Sequence, residues 1–99
     1  MIQHTEIVYA NEIWYGDGSI SCMLDPFVLT TYVGRHAVSC EARMLGEDHG
    51  VGIVVPRDYV HGMSDLNVLH QEVMAKSLRC DATYIGLEYH EPERFMSER

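Results

Sequence analysis

Val38-Ser39-Cys40-Glu41-Ala42-Arg43-Met44-Leu45 changes character at every step. Val38, Cys40, Ala42 and Met44 fall on one side of an extended chain, with Ser39, Glu41, Arg43 and Leu45 on the other. Successive side chains of a β-strand point to opposite faces, so the stretch reads as a half-buried antiparallel strand. Gly46-Glu47-Asp48-His49-Gly50 follows as a turn. Val51-Gly52-Ile53-Val54-Val55 is apolar on both faces, which suits a central strand, and Pro56 ends it.

Working back toward the start, Gly34-Arg35-His36 is a turn, preceded by Phe27-Val28-Leu29-Thr30-Thr31-Tyr32-Val33. Asp25-Pro26 fits a helix start. The β-branched side chains that follow lose χ1 freedom in a helix and pack well in a strand. A strand is therefore expected, with a short helix as the alternative. From Thr5 to Tyr15 the chain is rich in β-branched and aromatic residues, and Gly16-Asp17-Gly18 is a hairpin signal. The return strand, Ser19 to Leu24, places Ile20, Cys22 and Leu24 on one face.

Toward the other end, Ser64-Asp65-Leu66 reads as a helix start, with Ser64 or Asp65 as N-cap. Leu66, Leu69, Val73 and Met74 recur at helical spacing through about Leu78, and Arg79 suits the last turn. Thr83, Ile85, Leu87 and Tyr89 then alternate with Tyr84, Gly86, Glu88 and His90 as a final strand. Residues 91–99 read as a charged C-terminal tail.

The expected fold class is α+β. About six strands lie in mainly antiparallel hairpins, with one C-terminal amphipathic helix packed on one face of the sheet. If the strands at 51–55 and 83–89 are neighbours, the segment between them is a right-handed crossover. With 99 residues, 46% of them apolar, the chain is one domain spanning 1–99. Folding at this size hides roughly 65% of the unfolded surface, enough for a core without staples.

Fifteen Asp and Glu against seven Lys and Arg give a net charge of −8, and Lys76 is the one lysine. That argues against direct binding to nucleic acid or to an anionic membrane. It favours the basic surface of another protein as partner. Cys22, Cys40 and Cys80 form no CxxC pair and leave an odd cysteine over. The first residues lack the basic and apolar regions of a signal peptide, so a reducing, cytoplasmic setting is expected. No apolar run approaches the length of a membrane span.

His70 stands out among candidate site residues, because Leu66, His70, Met74 and Leu78 form one row on the helix. A polar group in that stripe must find a partner. A pocket histidine and a satisfied core histidine are the two readings, and the second predicts that His70→Leu is tolerated. No metal site is expected. His36 and Cys40 sit about 13 Å apart on a strand and cannot share one zinc. Glu47-Asp48-His49 has neither the length nor the spaced acids of an EF-hand loop. Cys22 and Cys40 read as small buried hydrophobes, and Cys80 lies beyond the wrong end of the helix for an activated thiol. Neither glycine pair continues into a phosphate loop, so no cofactor is implied.

Two functional expectations result. The first is a small, acidic, non-enzymatic protein-binding regulator or inhibitor that docks on a basic surface, a role in which charge can imitate nucleic acid. Trp14, Tyr15, Glu47, Asp48, Glu88 and Phe95 are its candidate contacts, the aromatics because they carry much of interface energy. The second is a small enzyme or ligand-binding domain with His70 in a cleft between helix and sheet. A homodimer through a sheet face or edge is also expected, since one helix covers one face of such a sheet.

Overall fold

The first strand, β1 (Ile2–Tyr15), is long enough for three others to pair with it. The structure is a computed structural model that describes residues 2–90. The remaining elements are β2 (Ile20–Ser21), β3 (Phe27–Val33), β4 (Ala37–Met44), β5 (Val51–Pro56), the helix α1 (Met63–Leu78) and β6 (Ala82–His90). A 3-10 turn at Arg57–Tyr59 leads from β5 toward the helix. Every strand pairing is antiparallel.

The near half of β1, Ile2 to Val8, pairs with β3, and the stretch from Ile7 to Tyr15 pairs with β6. Ile7 and Val8 pair with both, so β3 and β6 flank β1 on opposite sides. The sheet therefore runs β6-β1-β3-β4-β5, with β2 beside the far end of β1. A register shift between Ala10 and Glu12 breaks the alternation of β1. One extra residue at such a bulge returns the chain to the same face. Val8 and Ala10 are thus followed inward by Ile13, and all three are buried.

The α+β arrangement read from the alternation is what forms, and residues 27–33 are strand rather than helix. The helix is not the last element, since β6 follows it. It covers one face through Leu69, His70, Val73 and Met74. Leu69, Val73 and Met74 meet Val8, Leu29, Val38 and Cys40 of the sheet in one core, with His70 beside it. Each large apolar side chain so buried contributes about 1.5–3 kcal/mol.

Several expectations need correction. The stretch 51–55 is an edge strand: Val51, Ile53 and Val55 reach the core, while Val54 on the other face is 70% exposed. It does not neighbour 83–89, because β6 pairs with β1, so the helix connection spans the sheet from edge to edge. The predicted return strand shrinks to Ile20–Ser21. From Val8 backward β3 occupies that side of β1, so beyond Ser21 the returning chain keeps one bond to β1, from the Met23 N–H to the Ala10 carbonyl at 2.9 Å, and Cys22 and Leu24 stay exposed. Neither Ser64 nor Asp65 is the N-cap. Gly62 holds that place, and the Asp65 carboxylate accepts from the His61 backbone N–H at 2.7 Å. Arg79 is the C-cap, in the left-handed region at φ 55°, not a residue of the last turn. The charged tail and Phe95 lie outside the described residues.

Candidate functional site: a cleft over His70

Where β1 begins and β3 ends, the inward face of the sheet turns polar. The register sets His4 opposite Thr31 and Glu6 opposite Leu29, so Ile2, His4, Glu6, Thr31 and Val33 all face the helix side. Above them stand the first turns of α1. Two adjoining hollows of about 450 and 260 Å³ lie between helix and sheet, and Glu6, Met63, Leu66 and His70 line both. Ser64, Asn67 and Tyr89 complete the wall of the larger, and Ile2, His4, Thr31 and Val33 that of the smaller. The larger falls within the usual range for ligand pockets, roughly 300–1,000 Å³.

His70 forms the floor and is 6% exposed. Its Nε2 lies 3.0 Å from the Thr31 hydroxyl and its Nδ1 2.9 Å from the Tyr89 hydroxyl. Burial pushes the imidazole down to about 4, and the nearby His4 acts in the same direction. The ring is therefore neutral near pH 7, with one N–H and one lone pair. One hydroxyl accepts from it while the other donates to it. Thr31 continues the chain to the Cys40 sulfur at 3.7 Å. Both tautomers leave every member of the series partnered, and no buried side-chain nitrogen or oxygen lacks a partner among the described residues.

Tyr89 carries the series to the surface. Burial raises its phenol above the usual value. Asn67 donates to the phenol oxygen at 3.5 Å and accepts from Gln71 at 2.7 Å. Gln71 in turn accepts from the Ile85 backbone N–H at 3.3 Å, which anchors the wall to β6. Burial pushes the Cys40 thiol up to about 11, so it stays protonated and is a poor nucleophile. With its value lowered to about 4 by burial, the imidazole is a weak base near pH 7.

The other candidate residues do not converge. Trp14, 41% exposed, lies on the opposite face of the sheet beside Tyr84, whereas Tyr15 packs against the core. Glu47 and Asp48 sit exposed in the turn between β4 and β5. Glu88 lies on the uncovered face, accepting from Asn11 and bonded to His90 at 2.9 Å. Cys22 is exposed, against expectation, and Cys40 is buried as expected. Among the described residues no three His, Cys, Asp or Glu side chains group as a metal site. No described helix is long and apolar enough to cross a membrane.

The sequence reading missed His4, Glu6, Thr31 and Tyr89. The signal was present: His4 and Glu6 keep phase with Val8 and Ala10, Thr31 with Leu29 and Val33, and Tyr89 with Leu87. Polar residues in phase with a core-facing row mark a polar patch on the buried face. Comparison of the chain with protein-family models, curated protein sequences and solved structures finds no match.

Proposed function

We propose that the chain is a small-molecule-binding domain and that the cleft over His70 is its site. The observation that carries this reading is the floor of the cleft. A neutral imidazole is held between two hydroxyls beneath apolar walls from Met63, Leu66 and Val33. Concave, mostly apolar sites with a few fixed polar groups are the common form of ligand pockets.

Titration with the neutral fluorophore N-phenyl-1-naphthylamine tests it. Saturable, blue-shifted emission is expected, and Leu66→Arg should abolish it. Met63→Arg is the second variant, because Met63 is 79% exposed and its replacement leaves the core intact. Emission that does not saturate, or that both variants retain, would remove the cleft as a site.

Docking on a basic partner through charge is the second reading, supported by the net charge of −8. Its acids lie in turns at both ends of the sheet, with Asp17, Glu47 and Asp48 at one and Asp58 and Asp65 near the other. Complex formation unaffected by salt between dilute and half-molar buffer would end this reading. Self-association is a separate proposal, with exposed Val54 on the β5 edge as the contact, and light scattering reads it directly.

A further inference from the structure

The chemistry of the cleft points to one class of occupant, and the inference rests on the ligand-binding reading above. Glu6 is a carboxylate on the inward face of a sheet, its side chain 23% exposed. Such a position normally carries an apolar group, because a charge leaving water needs a partner. The nearest is His4, whose Nε2 stands 3.6 Å from the carboxylate while its side chain is 60% exposed. That contact is loose, and it is an ion pair only when His4 is protonated.

Among the described residues, no lysine or arginine lines either hollow. Three of the basic groups are engaged elsewhere, Arg43 donating to the Glu47 carbonyl, Arg57 to the Val60 carbonyl and Lys76 to the Gly52 carbonyl, while Arg35 and Arg79 line other hollows. Glu6 is nevertheless felt inside the site. After burial itself, its charge helps to hold up the Tyr89 phenol and the Cys40 thiol. Around the carboxylate the walls are apolar, from Ile2, Val33, Met63 and Leu66.

We propose that the cleft binds a cationic amphiphile, an alkyl or arylalkyl amine whose ammonium pairs with Glu6 and whose apolar body lies against Leu66, Met63 and Val33. The ammonium supplies the lysine- or arginine-like cation that Glu6 lacks among the described residues. Its N–H groups also find acceptors in the phenol oxygen of Tyr89 and the side chain of Asn67. The opposing consideration is the start of α1, whose free N–H groups favour anions. Asp65 in the first turn already answers that dipole.

The test is a matched series of n-octylamine, n-octanol and n-octanoate, each displacing bound N-phenyl-1-naphthylamine. Octylamine should compete about five- to tenfold better than octanol, and octanoate worst, as a partly screened ion pair implies. Glu6→Gln should reduce the amine preference to near parity while octanol still competes. Glu41→Gln removes the same charge from the exposed outer face and should leave the preference intact, which separates a local pair from the general attraction of an acidic protein. Equal competition by amine and alcohol, a preference for octanoate, or an amine preference that survives Glu6→Gln overturns the proposal. In each of those cases the fluorophore still binds, so the cleft remains a site and only its ligand class is wrong. Absence of fluorophore binding removes both.

Discussion

The ring of His70 and the hydroxyl of Thr31 meet at 3.0 Å across 39 positions of sequence, one on the helix and one on the sheet. Their hydrogen bond ties α1 to β3 at the floor of the cleft. It also changes what His70→Leu is expected to do. Leucine leaves the Thr31 hydroxyl, 5% exposed, with only its weak contact to Cys40. A buried hydroxyl stripped of its partner costs about 1–3 kcal/mol.

The first prediction is a double-mutant cycle. His70→Leu and Thr31→Val should each destabilise by about 1–2 kcal/mol, and the pair together by less than the sum. Urea unfolding of the four proteins measures the coupling. Strict additivity would show that the bond contributes nothing.

Acid should weaken the protein in a window set by the same ring. Folded His70 titrates at about 4 against 6.5 when unfolded, so between those values the unfolded chain takes up a proton that the folded one refuses. Stability is full above pH 6.5, falls as pH drops toward 4, and then levels off for this group. The whole loss is at most about 3 kcal/mol. Asp17 and Glu88 carry lowered values and act below their ordinary range near 4. Denaturation curves between pH 4.5 and 6.5 should therefore slope in the parent protein and flatten in His70→Leu.

Cysteine labelling should be ordered by burial. Cys22 is exposed, while Cys40 is 1% exposed with its thiol pushed up to about 11. In native buffer at pH 8, iodoacetamide should modify Cys22 promptly and spare Cys40 until denaturant is added. Mass spectrometry of digested peptides decides it.

Gly50 is a position in the β4–β5 turn where close neighbours leave no room for a side chain. A Cβ there would press on the Ala42 carbonyl and lie 2.8 Å from the Cβ of Arg43. Gly50→Ala should cost about 1–3 kcal/mol, whereas a Cβ at Gly62 meets nothing within 4 Å, so Gly62→Ala should cost only the poorer N-cap, under about 1 kcal/mol. Thermal melts of the two variants make the comparison.

The strands and the helix were legible because alternation and helical spacing are local properties. Val38 to Met44 and Leu66 to Leu78 needed no knowledge of their neighbours. The place of β5 was not legible, because Val54 has the side chain of a central strand and only the pairing of β6 with β1 leaves it at an edge. The bulge at Asn11 shifts the phase of β1, so the inward row of His4, Glu6, Val8 and Ala10 passes to Ile13 rather than Glu12, and only its first half could be followed by strict alternation. His70 was legible as a polar break in an apolar stripe. Its partners Thr31 and Tyr89 come from β3 and β6, one well before the helix and one after it, and no local pattern joins them to it.

Pairing of the first strand with the last has a consequence in time. The β3–β4–β5 meander joins segments close in sequence, so its loops close early and cheaply. Ile7 meets His90 only after nearly the whole chain has been made. Tyr89 arrives with that strand, so until β6 docks the imidazole of His70 lacks its second hydroxyl and the larger hollow lacks a wall. On the ligand-binding reading, a chain clipped before Tyr89 is therefore expected to fold its meander and helix yet hold no ligand, so that release of the completed β6 would set the moment at which binding begins.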